Sequence, residues 1–81
     1  MKPNGESLRA EAKMKIRYDK LWRMMKDNKM KKNDLAKAAK ISSYAMTKLN
    51  QDRPVNMEVM INLCQVFHCD IGDLMEVLED E

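Results

Sequence analysis

The sequence predicts an all-α domain, a compact set of five short helices around one core. Three observations carry this. Glycine and proline number only two each in 81 residues, while Lys, Glu, Met, Leu and Ala are abundant, so helix formers run with few breakers. Apolar residues recur at i, i+3, i+4 and i+7 in two separate stretches. Asn, Ser or Asp stands just ahead of four of the five segments, where a side-chain oxygen can accept the first orphan N–H groups of a helix.

The first helix is expected over Tyr18 to Asn28. Tyr18, Leu21, Trp22 and Met25 form its buried stripe, with Asp19, Lys20, Arg23 and Lys26 outside. The second runs from Asn33 to Ala39. Asn33 is the predicted N-cap, Asp34 lies in the first turn, and Leu35, Ala38 and Ala39 face inward, with Met30 packing just ahead. Ser42 caps the third, from Ser43 to Gln51, whose buried side is Ile41, Ala45, Met46 and Leu49. Pro54 closes the connection, because the residue before a proline is pushed out of the helical region. Asn56 caps the fourth, with Met60, Leu63, Cys64 and Phe67 in the stripe, and His68 ends it. Asp70 is expected to cap a short fifth helix with Leu74 and Leu78 on one face. Its end, Glu79, Asp80 and Glu81, opposes the helix dipole and should fray.

Residues 1–14 read as a flexible N-terminal arm and 15–81 as the single domain, although SLRAEAKM is compatible with helix and Met14 is a second candidate start. No apolar run nears the roughly 18 residues a membrane span needs, and MKPNGESLRAEAK lacks the apolar stretch of a secretory signal. Two cysteines are too few for a disulfide scaffold and fit a reducing compartment, so the expected location is cytoplasmic, with no membrane partner.

Charge is polarised along the chain. Residues 1–40 hold thirteen Lys and Arg against five Asp and Glu; residues 41–81 hold two against eight. A basic half suits a polyanion, and the acidic end suits a protein partner or solubility; two unrelated solvated faces would give the same totals.

Helix three carries the more specific signal. Exposed helix faces usually hold long charged residues, yet this one presents Ser43, Tyr44, Thr47, Lys48 and Asn50, with no acid between Ala39 and Gln51. Such short or planar hydrogen-bonding groups read base edges and phosphates in a DNA major groove. The N–H groups at Ser42 and Ser43 suit a phosphate. Only KIS separates helices two and three, a spacing that sets them nearly perpendicular.

The stretch MKKNDLAKAAKISSYAMTKLNQDRPVNMEVMINLCQVFHCDIGDLME resembles the Cro/CI-type (XRE) helix-turn-helix family. Met30, Leu35, Ala36, Ala39, Ile41, Ser42, Met46, Leu49, Pro54, Met60, Leu63 and Leu74 supply its apolar, small, turn and proline positions, over about residues 17–78. The resemblance implies a lambda-repressor-like fold with a helix-turn-helix in helices two and three. It implies a transcriptional regulator that binds operator DNA as a two-fold dimer. Carried onto matching positions, Lys32 meets phosphate or a base; Ser43, Tyr44, Thr47 and Lys48 face the groove; Asn50 and Arg53 meet the flanking backbone. Lys31 and Lys32 depart from the family's usual Ser/Thr-Gln, which shifts that contact toward electrostatics. Lys40 and Asp52 stand where the family has glycine; a left-handed lysine costs about 1 kcal/mol unless the turn differs. Asp52 also sets an acid near the path of the DNA.

Competing readings stay beside these. Tyr44 is a DNA contact, or its ring lies across neighbouring helices; Lys32 and Lys48 are contacts or ordinary solvated lysines. Trp22 and most of the nine methionines read as packing. Met75, Val77 and Leu78 exceed one buried stripe and suit a homodimer contact through helix five. Cys64, His68 and Cys69 fall short of a four-ligand zinc site and read as core and helix-end residues. No nucleophile stands at a recognisable spacing from the single His, and no glycine-rich phosphate loop is present, so neither enzyme nor cofactor is expected. The alternative function is a protein-interaction module, like an antitoxin or anti-repressor, acting through the acidic C-terminal half. RNA binding ranks third, since the aromatics are few and mostly inward.

Overall fold

The computed structural model describes residues 13–80. Their order is β1 (Lys13–Arg17), α1 (Asp19–Asp27), α2 (Lys32–Ala39), α3 (Ser43–Asn50), α4 (Met57–Phe67), a single 3₁₀ turn (Ile71–Asp73) and β2 (Glu76–Asp80). One core joins them, built from Tyr18, Leu21, Met25, Leu35, Ala39, Met46, Leu49, Met60, Leu63 and Leu74. Trp22, Cys64 and Phe67 are only partly buried and pack against that cluster.

Helix starts follow the caps in two cases and not in a third. Ser42 Oγ accepts from the Ala45 N–H at 3.1 Å, and Asn56 Oδ1 accepts from the Val59 N–H at 2.9 Å. Asn33, the predicted cap of the second helix, lies inside α2 instead. Lys31 takes the cap position, and Asp34 Oδ2 reaches back to accept its N–H at 3.0 Å. That is the reciprocal half of a capping box, which satisfies the N–H of the cap residue itself rather than those of the first turn. Ala38, expected inward, is exposed; Leu35 and Ala39 are the buried pair, with Ala36 half-buried beside them.

All four helices end alike. Lys29, Lys40, Asp52 and His68 adopt left-handed backbone, with φ of 57°, 57°, 56° and 53°. In each case the next residue donates its N–H to a carbonyl five positions back: Met30 to Met25, Ile41 to Ala36, Arg53 to Lys48 and Cys69 to Cys64. This is the Schellman closure, which satisfies the orphan carbonyls of the last turn. None of the four residues is glycine, so the left-handed backbone costs about 1–2 kcal/mol at Lys29, Lys40 and His68 and less at Asp52, since aspartate visits this region more readily.

The fifth helix is absent. Ile71–Asp73 makes one 3₁₀ turn, and EVLED continues as β2, antiparallel to β1. Register sets Arg17 opposite Glu76, Ile16 opposite Val77 and Lys15 opposite Leu78. Helix propensity favoured EVLED, but five residues are too few to nucleate an isolated helix. Pairing with KMKIR gives every second backbone group a partner and brings an acidic strand beside a basic one. The expected helical dimer face goes with that helix. Val77 and Leu78 are exposed, but as neighbours on a strand they point to opposite faces of the sheet. Leu74 is still wholly buried, held by its carbonyl accepting from the Leu21 N–H at 3.1 Å.

Lys13 and Met14 of the expected arm lie in β1; residues 1–12 fall outside the described residues. No helix among those described is long and apolar enough to cross a membrane.

Candidate nucleic-acid interface

The site residues read from the sequence fall on three consecutive pieces of chain. Lys32 is the first residue of α2; Ser42 caps α3; Ser43, Tyr44, Thr47, Lys48 and Asn50 lie along α3; Arg53 follows its end. Lys48 is half-buried and the other seven are exposed. Ala45, Met46 and Leu49 are buried on the opposite side, so α3 is fixed to the core by one stripe and shows its polar residues outward.

The structure ties several of these residues together. The Lys32 ammonium stands 4.5 Å from the centre of the Trp22 ring and donates to Asn50 Oδ1, which links α1, α2 and α3 through one side chain. Trp22 packs against the core as the sequence suggested, but its outer face also serves as a platform for Lys32. That contact joins residues remote in sequence. The only sequence cue was a large aromatic at the edge of the helix-one stripe.

On α3, the Lys48 ammonium lies 4.7 Å from the centre of the Tyr44 ring, an i, i+4 pair. Tyr44 is 69% exposed, so its ring does not lie across neighbouring helices. The Thr47 hydroxyl donates to the Ser43 carbonyl at 2.9 Å, leaving its methyl and oxygen lone pairs outward. Ser42, Tyr44 and Lys48 edge a shallow groove shared with Val55, Asn56 and Val59.

Asp52 is drawn away from this face. Its Oδ1 accepts from the Tyr18 N–H at 3.3 Å, and its Oδ2 lies 3.5 Å from Arg17 Nε. Arg17 also pairs with Asp19 at 2.9 Å. Tyr18, 1% exposed, donates its hydroxyl to the Arg53 carbonyl at 2.8 Å. Burial first and the Asp52 carboxylate second push its phenol above its ordinary value. The acid that the sequence set near the DNA path is therefore an anchor for the strand-to-helix corner. Sequence reasoning missed this role of Asp52 because its partners lie more than thirty residues away.

The closure at the end of α3 is made by the Arg53 N–H donating to the Lys48 carbonyl at 2.9 Å. Among the described residues, neither forms an ion pair with a carboxylate.

A family model for the Cro/C1-type HTH DNA-binding domain matches residues 20–80. The chain belongs to that family. It is a mostly helical helix-turn-helix domain of the DNA-binding, transcription-regulating kind. Among solved structures it is similar to the transcriptional regulator VanUg (crystal form II). The two are 34% identical with a TM-score of 0.79, over 83% of this chain and 89% of that one. No match was found among curated proteins. In this chain α2 and α3 are joined by Lys40, Ile41 and Ser42.

Proposed function

We propose that this Cro/C1-type domain is a sequence-specific transcriptional regulator that binds a palindromic operator as a dimer, with α3 in the major groove. The observation that carries the reading is the outward face of α3. It holds Ser, Tyr, Thr, Lys and Asn without an acid, and the one nearby carboxylate, Asp52, is turned back onto Arg17 and Tyr18.

Roles follow from the chemistry of each group. Lys48 is suited to guanine O6 and N7, and the Tyr44 ring to a thymine methyl or a phosphate. Thr47 offers its methyl to thymine. The N–H groups opening α3 and the hydroxyls of Ser42 and Ser43 suit phosphate oxygens. Lys32 and Arg53 supply charge to the flanking backbone. Asn50, its carbonyl oxygen already taken by Lys32, has its amide N–H groups left for the same purpose. Two copies of α3 would sit about 34 Å apart, one helical turn of DNA.

The interaction-module reading depends on the acidic C-terminal half and on an apolar face of a fifth helix; that segment forms β2 instead, paired with basic β1. This weighs toward DNA as the partner.

The test is selection of bound duplexes from a random library at near-physiological salt. An enriched symmetric site is expected, with a half-site spacing near ten base pairs. A steeply salt-dependent pool without enrichment would mean that the lysines hold backbone while α3 reads nothing.

A further inference from the structure

Of the four Schellman closures, the one ending α4 is chemically unlike the rest. The closure sets the residue four before the left-handed position beside the residue one after it. At α1 and α2 these pairs are apolar, Met25 with Met30 and Ala36 with Ile41, and at α3 they are the cations Lys48 and Arg53. At α4 they are Cys64 and Cys69. The Cys69 N–H donates to the Cys64 carbonyl at 3.1 Å, which sets the two cysteines beside one another across the helix end. Both are free, partly exposed and border the same open groove with Ile61, His68 and Ile71.

We infer that Cys64 and Cys69 form a reversible intramolecular disulfide, a redox modification site that staples the C-terminus of α4 to the turn carrying Leu74. The left-handed His68 between them turns the chain back so that the Cys69 backbone bonds to the Cys64 backbone, a closure that brings the two residues near enough to cross-link with little backbone movement. The oxidant is a small disulfide such as oxidised glutathione. One cysteine thiolate attacks its sulfur, forming a mixed disulfide and releasing one glutathione thiol. The second cysteine then displaces the other glutathione. Two protein thiols and one glutathione disulfide give one protein disulfide and two glutathione thiols, with no electrons unaccounted for.

Burial, with Asp70 and Asp73 nearby, pushes both thiols above their ordinary values. They are therefore slow nucleophiles, which suits equilibration with a disulfide pool better than fast peroxide sensing. The bland alternative is that two cysteines merely replace an apolar pair, as at the ends of α1 and α2.

Equilibrating the full chain with glutathione redox buffers separates the two. The expected result is loss of both alkylatable thiols, a mass lower by about 2 Da, no retained glutathione and no covalent dimer. Cys64→Ser and Cys69→Ser should each hold one glutathione instead. The protein-disulfide equilibrium constant should be at least tenfold larger for the folded chain than in denaturant. By the thermodynamic cycle, the oxidised protein is then more stable by at least about 1.4 kcal/mol. Two glutathione adducts per chain, inter-chain dimers, thiols that stay alkylatable, or equal constants with and without denaturant would each overturn the proposal. Because every readout is covalent and needs no DNA, failure of the DNA-binding reading would leave it untouched.

Discussion

Two corners of this molecule are built on opposite terms. The α2–α3 corner is held by local devices: a cap on Ser42, a left-handed Lys40 and three intervening residues. Its polar side chains point outward with few partners. At the other corner, where β1 meets α1, contacts span the chain. Asp52 takes the Tyr18 N–H, Arg53 takes the Tyr18 hydroxyl, and Leu74 takes the Leu21 N–H. Lys20 reaches the Gly72 carbonyl at 3.0 Å. Most polar groups there are paired, Arg17 Nε being the exception, and Tyr18, Leu21 and Leu74 are fully covered. One corner presents unsatisfied hydrogen-bonding capacity while the other removes it, so substitutions should divide cleanly between binding and stability.

The sharpest way to break that division is at Leu74. It is wholly buried, so Leu74→Ala should cost about 2–5 kcal/mol of stability, from lost transfer free energy plus the cavity left behind. Urea unfolding measures it. A cost under about 1 kcal/mol would mean that the C-terminal segment is not part of the cooperative core.

On the presenting side, Tyr44→Ala combined with Lys48→Ala should weaken specific DNA binding by about 2–4 kcal/mol, taking 1–3 for each good base contact. Stability should change by no more than about 0.5 kcal/mol, since both side chains stand outside the core cluster. Retained specific binding would sink the assignment of the α3 face. A matching loss of stability would mean that the corner supports the fold after all.

Tyr18→Phe removes a single hydroxyl from the anchoring corner. It should cost about 1–2 kcal/mol, because the partly buried Arg53 carbonyl loses its donor. A pH signature accompanies it. The folded protein holds the phenol proton more tightly than the unfolded chain, whose value is near 10.0. The Tyr18 contribution is therefore complete below pH 10.0 and lost as pH rises through the higher folded value. Wild type should lose stability there more steeply than the Phe variant. Parallel curves above pH 10.0 would remove Tyr18 from the account.

The same contrast explains what could be read from the chain alone. Ser42, Asn56 and Pro54 act on their immediate neighbours, so the bounds of α3 and α4 were legible, and the spacing of Tyr18, Leu21 and Met25 gave the buried face of α1. EVLED was misread because its partner strand lies about sixty residues away, and no local cue in a five-residue segment reports that. The cap of α2 was placed two residues late because Asn33 looks like a cap, whereas Asp34 works in reverse on the Lys31 N–H. At the candidate interface, residue types along α3 were legible from the absence of acid. The Lys32–Trp22 platform and the recoil of Asp52 were not, since both depend on how the helices pack.

The smallest expected effect compares two left-handed helix ends. Lys40 and Asp52 have nearly the same φ, 57° and 56°, yet they sit in the two different corners. Lys40 is exposed, and its side chain makes no hydrogen bond or ion pair among the described residues. Lys40→Gly should relieve about 1–2 kcal/mol of left-handed strain. Against this stands the added flexibility of the unfolded chain, about 0.4–1 kcal/mol, so the net gain is about 0.5–1 kcal/mol. For Asp52→Gly a smaller relief is offset by loss of the carboxylate that holds the Tyr18 N–H and lies beside Arg17. That bond is worth about 1 kcal/mol and the exposed ion pair less, which leaves the net change near zero or slightly below it. Melting curves of the two variants side by side decide the matter. A rise for Lys40→Gly alone means that Asp52 offsets its strained backbone with its carboxylate. Equal rises for both would mean that the carboxylate contributes nothing, and the anchoring corner would then rest on Tyr18 and Leu74.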